Sequence, residues 1–232
     1  MSTIPQRLCN LLSQIKQAEI ACQRKPGSVQ LLAVSKTKPA ADIICAYQVG
    51  QRHFGESYLQ EALSKQLALG AFNITWHFIG PIQSNKTRPI ASHFTWVHSV
   101  DRFKIAQRLN EQRPEHLPPL NICLQINISH ETSKAGIGLD ELPQLVDEVS
   151  LLPNLRLRGV MAIPAPQSDY KLQRQPYRQI YQAVARLNRP ELDTFSFGMS
   201  DDLKAAIAEG ATLVRIGTAL FGARIPSPQK QQ

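Results

Sequence analysis

Short apolar runs alternate with helix-periodic segments along the whole chain, and no other feature of the sequence constrains its fold as tightly. Runs at 30–36, 52–57, 74–80, 95–100, 120–128, 155–163, 194–197 and 213–216 have the length and the apolar or aromatic content of strands. Ahead of the first, Ile4, Leu8, Leu11, Leu12, Ile15, Ala18 and Cys22 recur at helical spacing. They predict an extra N-terminal helix over 4–24, stopped by Lys25, Pro26 and Gly27. Between the runs the period becomes helical again. Pro39 opens one such segment and Gly50 closes it, and Leu59, Ala62, Leu63 and Leu67 mark the next. Ser84 or Asn85 is expected to cap a short helix over 84–92, and Asp101 a helix reaching Arg113. Leu142, Leu145, Val146 and Val149, then Tyr177, Ile180, Tyr181, Val184 and Leu187, then 203–209, complete the series. Eight strands alternating with helices in 232 residues predict an α/β fold, a closed parallel (β/α)8 TIM barrel. An open doubly wound sheet is the competitor, but no GxGxxG turn follows an early strand. The expectation is one domain over 1–225, with 226–232 a disordered tail.

In such barrels ligands bind at the C-terminal ends of the strands, so the residues that close each run carry the chemistry. Lys36 closes the first. An ammonium at the mouth of an apolar strand is partly stripped of water, which favours the neutral amine that attacks aldehydes. The alternative is a lysine that reaches past the strand end into solvent. After the seventh run comes Gly198-Met199-Ser200-Asp201-Asp202, where glycine lets backbone approach a ligand and Ser200 sits at an expected helix start. The same residues also read as a plain serine cap, and Asp201 and Asp202 would repel a phosphate unless they turn away. After the eighth run Gly217 and Thr218 follow Arg215, a cation inside an apolar strand that needs acceptors. Closure of the barrel sets the eighth strand beside the first. Lys36 and the 217–218 loop then become neighbours, and an amine beside a phosphate cradle fits pyridoxal 5′-phosphate (PLP).

Other candidates carry less. His53, His77 and His98 lie on or near strands and read as hydrogen-bonded core residues rather than a zinc set. The 84–86 segment either presents N–H groups and Lys86 to a ligand or only caps a helix. Lys134 reads as a flexible exposed amine that meets the cofactor transiently or stays solvated. Cys9, Cys22, Cys45 and Cys123 lack CxxC spacing and read as small core or surface residues. The net charge of +8 is scattered rather than clustered, which favours a small anion over nucleic acid. No signal pattern or membrane-length apolar run is present, so the expected compartment is the cytoplasm.

Six segments together carry a resemblance: 33–39 (AVSKTKP), 53–56 (HFGE), 76–86 (WHFIGPIQSNK), 159–163 (GVMAI), 198–202 (GMSDD) and 215–222 (RIGTALFG). They resemble the pyridoxal phosphate homeostasis protein family, whose fold is similar to the fold-type III barrel of bacterial alanine racemase. The resemblance covers about residues 5–224. It implies that Lys36 carries PLP as a Schiff base, and that Ser200, Gly217 and Thr218 hold the phosphate with Gly198 and Met199 in the same loop. By the racemase pattern Arg215 faces the pyridine nitrogen. The family has Asn after its Gly-Glu pair where this chain has Ser57, a candidate cofactor contact with a shorter reach.

The resemblance implies a PLP carrier in vitamin B6 homeostasis, not an enzyme. The rival readings are a PLP-dependent amino-acid racemase and a cofactor-free Schiff-base aldolase. Racemisation needs an acid/base on each face of the substrate, and in alanine racemase a second domain of the partner subunit supplies a tyrosine. Here the chain ends ten residues after Gly222, leaving no room for one. An arginine at the pyridine nitrogen would also keep it unprotonated and weaken the ring as an electron sink. The aldolase reading accounts for the lysine and the loops but not for the whole-chain resemblance. The expected partners are PLP and PLP-dependent apo-enzymes, with no nucleic acid and no membrane, the chain acting as a monomer.

Overall fold

The computed structural model describes residues 2–129, 131 and 134–223, so the 226–232 tail lies outside the described residues. Eight parallel strands close a barrel in chain order: β1 Gln30–Val34, β2 His53–Glu56, β3 Thr75–Phe78, β4 Trp96–Val100, β5 Leu120–Ile126, β6 Leu155–Ala162, β7 Thr194–Ser196 and β8 Leu213–Ile216. The seam is the β1–β8 pair, in register at Leu31 with Val214, Leu32 with Arg215 and Ala33 with Ile216. Helix α1 (Ile4–Ala21) precedes the barrel, and α2 (Ala40–Gln48), α3 (Leu59–Ala68), α4 (Thr87–His93), α5 (Phe103–Glu111), α6 (Leu142–Ser150), α7 (Tyr170–Ala185) and α8 (Leu203–Ala208) follow the strands in turn. A four-residue helix α9 (Thr218–Phe221) follows β8. Among the described residues no helix is long and apolar enough to cross a membrane.

Side chains alternate along each strand, so one set meets the helices and the other fills the barrel. Trp76, Phe78, Val97, Phe195, Val214 and Ile216 belong to the apolar cluster that the helices cover. Their strand neighbours His77, His98, Ser196 and Arg215 therefore project inward, and all four are buried. The barrel interior is polar on this side. Every such group must find a partner there, because none can reach water.

Local chemistry moves several expected boundaries. β1 ends at Val34, so Lys36 stands in a turn two residues beyond the ladder. Residues Ser84–Lys86 form one 3-10 turn without a side-chain cap, and α4 begins at Thr87. Asp101 does not cap α5, since Arg102 occupies the cap position and holds the Asp101 carboxylate at 2.8 Å. α7 starts at Tyr170, ahead of its first buried residue Tyr177, because Asp169 accepts the Lys171 and Leu172 N–H groups at 2.8 and 2.9 Å. Ser200 precedes α8 by three residues and is not its cap.

Candidate functional site

A cavity of about 490 Å3 opens where β1, β6 and β8 end, within the size range of small-ligand pockets. Lys36, Met199, Ser200, Arg215, Gly217 and Thr218 line it, so six of the eight sequence-expected residues meet there. Val34, Ile79, Ile163 and Ala219 supply an apolar wall, and Asp201 an acidic edge. Gly198 and Ser57 are not among the lining residues. Gly198 serves the turn: its φ is +82°, and a Cβ there would lie 2.5 Å from that of Ala206. Ser57 packs its backbone against Gly80, where a Cβ would fall 2.2 Å from the Ser57 carbonyl oxygen.

The turn that carries Lys36 is clamped on both sides. Ser35 donates its N–H to the Gly55 carbonyl at 3.0 Å and its hydroxyl to Glu56 at 2.7 Å. The Lys65 ammonium, from α3, donates to the Ser35 carbonyl and to Glu56 at 2.7 Å each, and to Glu61 at 2.5 Å. Glu61 in turn accepts the Thr37 N–H at 2.6 Å. Thr37 has φ of +64°, a conformation that costs a β-branched residue about 1–3 kcal/mol and persists only where its surroundings dictate it. Lys38 Nζ closes the far side on the Ala223 carbonyl at 2.7 Å. Burial pushes the Glu56 carboxyl up, against the pull of Lys65. Lys36 itself is half-buried at the cavity wall.

Leu220 and Phe221 donate back to the Gly217 carbonyl at 3.0 and 2.8 Å, which leaves the Thr218 and Ala219 N–H groups outside the α9 ladder. The acidic pair after Ser200 divides. Asp202 turns away, accepting from Tyr177 Oη and the Met199 N–H at 2.6 Å each, while Asp201 stays exposed at the cavity edge.

Arg215 closes the floor. Its guanidinium donates to the Ser196 carbonyl, to Ser196 Oγ at 2.8 Å and to the Ala162 carbonyl at 2.9 Å. Behind Ser196 the three histidines stand in line. His98 Nδ1 is 2.8 Å from Ser196 Oγ, His77 Nδ1 is 2.9 Å from His98 Nε2, and His53 Nδ1 is 3.0 Å from His77 Nε2. Burial pulls His98 down to about 3, helped by the Arg215 charge. His77 is pulled well below the usual imidazole value by burial and then by its two neighbours, and burial lowers His53 as well. All three are neutral at pH 7.

Sequence reasoning missed Lys65 and Glu61, although their spacing of four on a helix marks them as a pair. Nothing in the sequence says that this pair turns inward to Ser35 and Thr37. Lys134 also differs from expectation. It is half-buried, pairs with Glu131 at 2.7 Å and donates to the Ile163 carbonyl at 3.2 Å.

The alanine racemase N-terminal domain family matches residues 10–225. The pyridoxal phosphate homeostasis protein of Pseudomonas aeruginosa is 59% identical over 224 residues, covering 97% of this chain and 97% of that protein. That of Escherichia coli is 54% identical over 229 residues, covering 97% and 98%. Among solved structures, PipY of Synechococcus elongatus, with PLP bound, is 39% identical with a TM-score of 0.83, covering 95% of this chain and 100% of that one.

Proposed function

The chain belongs to the pyridoxal phosphate homeostasis protein family, on the barrel of the alanine racemase N-terminal domain, and on that premise we propose that it binds PLP at Lys36 and keeps it in reserve for PLP-dependent apo-enzymes without turning over a substrate. One observation carries the reading. An amine, two hydroxyls, a glycine backbone and a guanidinium converge on one cavity of small-ligand size. The donor set fits the cofactor group for group. When bound, PLP supplies an aldehyde that condenses with a primary amine.

The residues then divide the work. Lys36 offers the amine, and the Ser35 and Thr37 clamps fix the backbone from which it projects. Ser200 and Thr218 donate hydroxyls to the phosphate, and the α9 N–H groups add backbone donors. Val34, Ile79 and Ile163, apolar residues of the lining, would exclude water from the bound group. Arg215 only donates, so a ring nitrogen that met it would stay unprotonated. His77, a conceivable second base, is committed to its two neighbours and is absent from the cavity lining.

Ser200→Ala and Thr218→Ala each remove a hydroxyl and leave the backbone donors. Each is expected to weaken PLP by roughly 1–2 kcal/mol in equilibrium titration, and pyridoxal, lacking the phosphate, should bind far more weakly than PLP. Equal affinity for the two vitamers would remove the phosphate site from this wall. The carrier reading is tested by incubating loaded protein with L-alanine in deuterated water. Positioned proton transfer contributes a factor of about 10²–10⁴; among the described lining residues Asp201 is the other carboxylate or amine beside Lys36, and it stands exposed at the edge, so at most trace α-deuteration and no D-alanine are expected. Rapid formation of D-alanine would make the protein a racemase.

A further inference from the structure

The chain His53, His77, His98, Ser196, Arg215 crosses the barrel interior through four contacts of 2.8 to 3.0 Å. Each contact holds one proton. A neutral imidazole donates from one nitrogen and accepts at the other, so the row of rings runs wholly in one direction or wholly in the other. Arg215 breaks the tie. A guanidinium cannot accept, so Ser196 Oγ receives its N–H, and the serine proton then needs an acceptor of its own. Among the described residues the partners of Ser196 Oγ are Arg215 and His98, which leaves His98 Nδ1.

From there the order is forced. His98 accepts at Nδ1 and donates from Nε2 to His77 Nδ1, and His77 donates from Nε2 to His53 Nδ1. In the reverse order His98 would donate to Ser196 Oγ, and the serine hydroxyl would be a buried donor with nowhere to point. Burying an unmatched donor costs about 1–3 kcal/mol, whereas at the other end half-buried His53 can leave its Nε2 proton to solvent.

We propose that Arg215 and Ser196 impose one direction on this row, so that His53, His77 and His98 are all Nε2–H tautomers, and that Ser196 and His98 are positioning residues for the cavity's guanidinium. The serine hydroxyl, drawn toward His98, turns its lone pair to Arg215. With the Ser196 and Ala162 carbonyls this gives the guanidinium three acceptors and one fixed aim. The histidines thus act at a distance from the cavity by deciding which way one hydroxyl points. As a statement about ligand binding the proposal rests on the reading of the cavity above; the direction of the row does not.

The test is 15N NMR of the histidine rings in the full, unloaded chain. All three rings are expected with Nδ1 in the unprotonated range and Nε2 in the protonated range. Either His77 or His98 found with a proton on Nδ1 overturns the proposal. Two variants probe the cause. Ser196→Thr keeps the hydroxyl and should keep all three tautomers. Arg215→Leu removes the donor that holds the Ser196 hydroxyl toward His98 and leaves the Ser196 and Ala162 carbonyls open to the serine proton, so a second tautomer should appear at His98 and His77. Unchanged tautomers in Arg215→Leu would show that the arginine does not set the direction. Should Arg215→Leu not fold, the wild-type spectrum still decides the tautomers. PLP titration of Ser196→Thr and the wild type runs alongside: failure to bind in both, with the tautomers as expected, would sink the cofactor reading and leave the row intact.

Discussion

Lys36→Ala is expected to weaken PLP retention on the order of a hundredfold, equivalent to about 2.7 kcal/mol, with the fold unchanged. The side chain leaves a half-buried turn outside the strand ladder, so its removal opens no core cavity. The clamp survives, because Glu61 holds the Thr37 backbone N–H and Lys65 the Ser35 carbonyl, neither of which needs the Lys36 side chain. What the proposed function loses is the amine for the aldehyde; the Ser200 and Thr218 hydroxyls and Arg215 remain at the cavity. Equilibrium dialysis reads the loss, and a thermal melt checks the fold. In the wild type, borohydride reduction followed by peptide mapping should place the label on the peptide containing Lys36. A label on Lys38 or Lys134 alone would mean that another amine holds the cofactor. Either would have to leave a partner first: Lys38 the Ala223 carbonyl at 2.7 Å, Lys134 the Glu131 carboxylate at 2.7 Å.

The barrel was legible because its signal is repeated. Eight apolar runs with helical periods between them leave few topologies, and closure follows from their number in 232 residues. Closure also brought Lys36 to the 217–218 loop, a neighbourhood that no local pattern states. What stayed hidden was the direction of polar side chains. His77 sits between Trp76 and Phe78, so alternation sends it inward, but that it meets His98 and His53 depends on the stagger of three strands. The spacing of Lys65 and Glu61 states only that they share a helix face, whereas the Lys65 ammonium bridges Glu56, Glu61 and the Ser35 carbonyl beneath the turn that carries Lys36. A cap was expected of Ser84 or Asn85 and of Asp101 from residue type alone, and none of the three serves as one. A capping residue is chosen by where the chain enters the helix, which tertiary packing decides.

The row of neutral histidines makes stability strongly dependent on pH. In the unfolded chain each imidazole takes up a proton near pH 6.5, whereas the folded protein holds His98 near 3 and His77 well below its usual value. The folded-state values are depressed, so the unfolded state binds more protons throughout that interval. Stability is therefore fully present well above pH 6.5 and lost as pH falls toward 3, with a slope that approaches about 1.4 kcal/mol per pH unit for each histidine below about pH 5.5. His77 and His98 together remove nearly 3 kcal/mol per unit, against a typical total of about 5–15 kcal/mol. Glu56 and Asp101, both pushed up by burial, act in the opposite sense and recover part of the loss in the carboxylate range. Urea unfolding between pH 7.5 and 5.5 should thus show a steep decline in stability well before the carboxylates titrate. His98→Gln isolates the cause. Whatever its stability at pH 7.5, its loss of stability between pH 7.5 and 5.5 should be smaller than the wild type's by about 1.4 kcal/mol in all. Equal slopes would mean that the folded protein accepts a proton at His98, which a ring flanked by His77, Ser196 and the Arg215 charge has no room to do.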